Sequence, residues 1–207
     1  MNKVGHINVT KRLSVGLEGA SRFCLLLGSI LPDIFVHTYI TGHKWDSTFE
    51  KNCERLMKME QSSGMSFYSY LKLGYVIHYI EDYFTFPHNT IYKDDMKAHV
   101  KYEIDFYDYL KNVEDESVES DGKHMSVEQL CYWIKELHDE YMAEAEHGFE
   151  TDYKYITKAA QKTAECMLAA FARNEDTSIS LESYIPTKYG YTFKEWFTDP
   201  RTKWILS

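Results

Sequence analysis

Five residues between His78 and Glu103 are of the types that bind metal ions, and their spacing would let them do so together: His78, Asp82, His88, His99 and Glu103. His78 and Asp82 are four residues apart, as are His99 and Glu103. On a helix that spacing puts two side chains on one face, with Cβ atoms about 5–6 Å apart. Two such side chains can close on one ion, because Zn–N and Zn–O bonds are about 2 Å long. Pro87 ends the first helix just before His88, so His88 sits where the chain turns. Glu81, three residues after His78, is a rival for Asp82, but Asp82 matches the i,i+4 arrangement of His99 and Glu103. Asp33 adds a carboxylate directly after an apolar stretch and Pro32. A lone helical histidine is more often a surface residue or a satisfied core residue. What stands out here is two His–carboxylate pairs flanking a third histidine. The stretch reads as the centre of a polynuclear zinc site.

The elements that must position these groups are helical. Glycine and proline are scarce, 10 and 4 of 207 residues, while 44% of the chain is hydrophobic. That composition favours an all-α fold with one sizeable core, and residues 1–207 read as a single domain without repeats. Residues 1–19 carry an isolated His6 in a mixed segment. A buried helix is expected over 20–31, ending at Pro32, and an amphipathic one over 47–60. A long helix opens at Ser66 and runs to about Thr85, with Leu73, Val76, Ile77, Ile80 and Phe84 as its core stripe. Gly74, one turn before His78, leaves room for a neighbouring backbone. The next helix spans about 96–112 and carries His99 and Glu103. Ser126 and Gln129 fit a capping box for a helix to about His147, with Gly148 as its C-cap. A further helix covers 151–173. The acidic segment 114–125 reads as a mobile loop, and residues 175–207 as an irregular aromatic tail with a short helix near 192–198. His124, His138 and His147 lie outside the cluster and are assigned no role, the last two as exposed helix residues.

The net charge of −9 argues against a stable nucleic-acid complex, although bound zinc can make one site locally positive. Cys24, Cys53, Cys131 and Cys166 form no C-x-x-C pair and read as reduced thiols. The longest apolar run, Phe23 to Leu31, is too short for a transmembrane segment. No signal peptide is seen, so a cytoplasmic location is the expectation. The oligomeric state stays open.

Gly28-Ser29-Ile30-Leu31-Pro32-Asp33, then His43, His78-Tyr79-Ile80-Glu81-Asp82, Pro87-His88 and His99-x3-Glu103 resemble the zinc-dependent phospholipase C family of bacteria. The S1/P1-type nucleases share that all-helical scaffold. The resemblance covers residues 6–103. It implies a helical bundle with up to three zinc ions in a cleft where phosphodiesters are hydrolysed. It assigns Asp33, His43, His78 and Asp82 to one ion, and His88, His99 and Glu103 to a second. A third ion would share Asp82 and use His6. His37 competes with His43. The chain departs from the family twice. Secreted phospholipases complete the third site with the amine and carbonyl of an N-terminal tryptophan, whereas this chain begins Met-Asn-Lys-Val-Gly-His. Ile34 also stands where the best-known members have a tyrosine in the choline pocket, so the headgroup is not fixed.

The resemblance implies that zinc neutralises the phosphate oxygens, activates water and stabilises the leaving oxygen. Asp33 would be a ligand that also orients or deprotonates the attacking water. Tyr39, Trp45, Tyr75, Tyr83, Phe84 and Phe86 are candidates to line the cleft, and core packing is their simpler use. The expected partner is a phosphate ester, with phospholipid as the family's own case. The alternatives are a nuclease of the S1/P1 type and a non-catalytic zinc-binding helical protein, in which metal only staples the bundle.

Overall fold

The computed structural model describes residues 1–14, 16–34, 42–61, 66–93, 95–113 and 125–175. Within them the fold is all-α, with no strand. In chain order the helices are α1 (Lys3–Leu13), α2 (Gly19–Gly28), α3 (Leu31–Ile34), α4 (Trp45–Glu60), α5 (Phe67–Tyr83), α6 (Met96–Leu110), α7 (Val127–Ala143) and α8 (Phe149–Glu175). A 3-10 turn, Phe86–His88, lies between α5 and α6. The acidic segment 114–124 with His124, the tail 176–207, and His37 and Tyr39 lie outside the described residues. No helix among the described residues is long and apolar enough to cross a membrane.

Helix α5 carries apolar residues on every side, and such a helix is stable only when covered all round. From Ser69 to Tyr83 all its residues except Lys72 are buried. α2, α4 and α8 pack against it, α7 packs on α4 and α8, and α1 bridges α6 and α8. Ser66 caps α5 by accepting the Ser69 N–H at 3.1 Å, and Pro87 keeps the chain from continuing as an α-helix. The crossing of α2 and α5 is the closest. A Cβ on Gly28 would come within 2.1 Å of the Leu71 carbonyl oxygen, and one on Gly74 within 2.1 Å of the Leu25 carbonyl oxygen. This pair of glycines lets two backbones touch and brings the end of α2 down beside His78.

Three expectations about the elements are corrected, and one helix was not assigned from the sequence. Residues 3–13 form a helix, α1, although their sequence has little apolar periodicity. The Asn2 side chain caps it by accepting the Gly5 N–H at 2.8 Å. The helix expected over 20–31 stops at Gly28, and Pro32 lies inside the short α3, where the first turn needs no N–H donor. α7 ends at Ala143 rather than near His147. Gly148 caps no helix C-terminus: its carbonyl accepts the Asp152 N–H at 2.8 Å, at the start of α8. The capping box at Ser126 and Gln129 is present.

Candidate metal centre

His78 and Asp82 stand one turn apart on α5, both fully buried. A carboxylate so placed is costly unless it is partnered, and Asp82 has partners on both oxygens. Its Oδ2 lies 3.2 Å from His78 Nε2 and 3.0 Å from His43 Nδ1. Those two nitrogens are 3.2 Å apart, and Asp33 Oδ1 is 3.8 Å from each. Asp82 Oδ1 faces another set: the Met1 α-amine at 2.7 Å, His6 Nε2 at 3.3 Å and His88 Nε2 at 3.5 Å. Glu103 Oε1 gathers a third, with His99 Nε2 at 3.1 Å, His88 Nε2 at 3.3 Å and the Met1 amine at 3.2 Å.

Two donors bound at about 2.0–2.1 Å to one tetrahedral zinc are about 3.3–3.4 Å apart. Most of these separations lie near that value. Donor atoms come within 4.8 Å of one another in four groups: His6, His78 and Asp82; Asp33, His43 and His78; His43, Asp82 and His88; His88, His99 and Glu103. The donors are all imidazole nitrogens and carboxylate oxygens, a set that suits zinc. His6 Nε2 is buried without a hydrogen-bond partner, which a metal would supply. The residues therefore fit the ion.

Neighbouring elements hold these rings in place. His78 Nδ1–H donates to the Ser29 carbonyl at the end of α2, 2.8 Å away, leaving Nε2 turned to the cluster. The 3-10 turn that carries His88 is tied down by Asp152, which accepts the Phe86 N–H at 2.9 Å. Asp152 also accepts the hydroxyls of Tyr102 at 2.9 Å and Tyr141 at 2.7 Å. Burial pushes its carboxyl up to about 6, against those three donors. Glu81, the rival of Asp82, points away from His78 and meets His6 Nδ1 instead.

The electrostatics mark a site built for cations. Burial works against the charged form of His6, yet Asp82 and Glu81 prevail and raise it to about 10. Burial also opposes the Met1 ammonium, but Asp82 and Glu103 raise it to about 11. His78 is lowered to about 4 by burial and by His6, and His88 to about 4 by burial. Burial disfavours the ionised form of Asp82, but His88, the amine, His78 and His6 hold it well below the usual carboxylate range.

Not every expected residue joins the site. Tyr75, Tyr83 and Phe84 are core residues rather than cleft residues: the Tyr83 hydroxyl accepts from Asn52 at 2.7 Å, and Phe84 packs on Tyr155. Trp45 stacks on His138 with ring centroids 3.7 Å apart, and Phe86 on His147 at 4.7 Å. His138 is buried and His147 half-buried, contrary to the exposure expected of them. His138 Nε2–H donates to Asn89 Oδ1 at 2.9 Å. The Ser29 carbonyl and Asp152 had no signal in the residue pattern, because each reaches the site only through tertiary packing.

No curated protein and no solved structure matches the chain. A family model described as zinc-dependent phospholipase C matches residues 7–148, well over half of it. That span begins one residue after His6 and contains Asp33 through Glu103. The helical fold, the His and Asp groups able to hold metal and this match agree, and the chain belongs to the zinc-dependent phospholipase C family.

Proposed function

We propose that the protein is a phosphoric diester hydrolase of phospholipase C type that works with two or three zinc ions. One observation carries the reading: the two oxygens of a single buried carboxylate, Asp82, face two different sets of nitrogen donors. That is the arrangement of a bridging ligand. Asp33, His43, His78 and Asp82 would hold one ion, and His88, His99 and Glu103 a second. Asp82 and His6 would hold a third. Zinc in such a site supplies Lewis acidity toward the phosphate oxygens and makes water acidic enough to attack.

The chain's own residues then divide the work. Asp82 and His78 are sealed in the core, while the side chains of Asp33, His99 and Glu103 keep 18%, 21% and 17% exposure. Substrate therefore approaches from the side of Asp33 and α6. Asp33 lies farther from its neighbouring nitrogens than the other donors do, which suits a carboxylate that orients the attacking water. The partial exposure of three ligands also argues against a purely structural zinc, whose site would be closed.

The test is zinc content per chain together with hydrolysis of a chromogenic phosphodiester and of phosphatidylcholine vesicles, on the wild type and Asp33→Asn. Two to three zinc ions and turnover that the substitution removes while the fold survives are the expected result. A zinc-free wild type, or undiminished turnover in Asp33→Asn, would withdraw the assignment. Turnover of single-stranded nucleic acid alone would move the protein to the nuclease branch of the scaffold.

A further inference from the structure

Glu81 and Asp82 are adjacent in sequence, yet their carboxylates leave α5 in different directions. Glu81 is fully buried, and no lysine or arginine pairs with it among the described residues. Its two oxygens are both taken by α1. Oε2 lies 2.5 Å from His6 Nδ1, and Oε1 accepts the Thr10 hydroxyl at 3.1 Å. Thr10 stands one helical turn after His6, so a single face of α1 presents both donors to one carboxylate. A buried carboxylate with so few partners is expensive to keep.

The ring it holds is also fixed on one face. His6 stacks on His78 with centroids 3.8 Å apart and planes 27° apart. With zinc in place of the second proton, Nδ1 would keep the proton given to Glu81 and Nε2 would turn its lone pair to the ion. That nitrogen is buried, lacks a hydrogen-bond partner and lies 3.3 Å from Asp82 Oδ1. Carboxylate–histidine pairs of this kind fix both the tautomer and the orientation of metal-binding imidazoles.

We propose that Glu81, anchored by Thr10, is a positioning residue that locks His6 in the Nδ1–H tautomer and so presents Nε2 to a zinc ion shared with Asp82. This rests on the metal-site reading above and adds to it the residue that makes His6 a ligand. The two adjacent carboxylates then have separate roles, Asp82 toward the ions and Glu81 behind one of their ligands.

The experiment compares full-length wild type, Glu81→Gln, Thr10→Val and His6→Ala in two measurements. One is zinc bound per chain across a series of free-zinc buffers. The other is the state of the two His6 ring nitrogens in the zinc-loaded protein, from long-range ¹H–¹⁵N spectra. His6→Ala is expected to lose one zinc. Glu81→Gln is expected to fill that same position only at free zinc about 10–100-fold higher, and to show His6 as a mixture of tautomers. Thr10→Val should shift both readouts in the same direction by less. A folded Glu81→Gln with wild-type zinc affinity and an unchanged tautomer overturns the proposal. If Glu81→Gln does not fold, Thr10→Val decides, and no change in either readout overturns the proposal. If His6→Ala holds as much zinc as the wild type, the failure lies in the metal-site reading at His6.

Discussion

His78 and His138 are both buried, and burial lowers both to about 4, yet they belong to different kinds of region. Around His78, Asp82 and Asp33 lie within ion-pair distance and two other imidazoles face the same point. Around His138 the neighbours are the rings of Trp45, Phe84 and Tyr141 and an amide oxygen, and the charge of Asp139 is outweighed by burial. His138 and His147 join no metal-competent group among the described residues. Burial and a depressed pKa are therefore common to a candidate ligand and to a packing residue. What separates them is whether carboxylates converge on the free nitrogen. Among the described residues of the α7–α8 region the one comparable buried carboxylate, Asp152, is satisfied by a backbone N–H and two tyrosine hydroxyls and meets no imidazole.

The largest test of this contrast is Asp82→Asn. A neutral amide cannot bridge two ions, so zinc content is expected to fall by at least one per chain. Loss of several kcal/mol of Lewis-acid stabilisation corresponds to roughly a 10³-fold fall in phosphodiester hydrolysis. Metal analysis and initial rates on the same preparation check both. An Asp82→Asn protein that keeps all its zinc would dissolve the distinction between the two regions.

Glycines give a second contrast, in stability rather than chemistry. Gly74→Ala drives a methyl into the Leu25 carbonyl, a backbone atom that cannot swing aside. Parting α2 from α5 also pulls the Ser29 carbonyl away from His78. The expected cost is about 3 kcal/mol, seen as a lowered midpoint in thermal or urea unfolding, with weaker zinc retention. Gly148→Ala, where a Cβ meets nothing within 4 Å, should shift the midpoint by no more than about 0.5 kcal/mol. Equal costs at the two glycines would show that the close crossing is not what holds the site together.

The helices bearing the site were legible because i,i+4 spacing is a local property. Once 66–85 and 96–112 read as helices, His78 with Asp82 and His99 with Glu103 had to share faces. Gly74 could be read as a close approach for the same reason. The rest was set by tertiary context. α1 has a polar sequence, and packing on α6 and α8 with an Asn2 cap stabilises it more than periodicity does. The end of α7 was placed too late because its apolar positions run on toward residue 147, while Glu144 and Glu146 sit badly at a helix C-terminus. Glu144 instead turns out to accept from Tyr155 and Lys154 of α8. Glu81 was visible only as a competitor for Asp82, because its partners His6 and Thr10 lie about 70 residues earlier. His138 read as exposed because its cover, Trp45, comes from another helix.

A substitution that should leave zinc content unchanged separates burial from ligation directly. His138→Gln keeps an N–H for Asn89 Oδ1 but removes the ring that stacks on Trp45, at a cost of about 1 kcal/mol near neutral pH. Zinc content should not change. The pH dependence should. The ordinary His138 value of 6.5 falls to about 4 in the folded protein, so below about 6.5 the unfolded chain takes up a proton that the folded one refuses. Stability that depends on keeping His138 neutral is thus complete above 6.5 and declines as pH falls toward 4, by about 3 kcal/mol. Glutamine does not titrate, so the variant escapes this decline. The gap in unfolding free energy between wild type and His138→Gln should therefore narrow as pH drops from 7 to 4.5, and at the acidic end the variant should equal or exceed the wild type. Taking the difference cancels the titration of the metal site, which both proteins share. A gap that stays constant with pH would mean that the Trp45–His138 pocket accepts the charged ring. Convergent carboxylates would then not be the only means by which this fold holds a buried imidazolium.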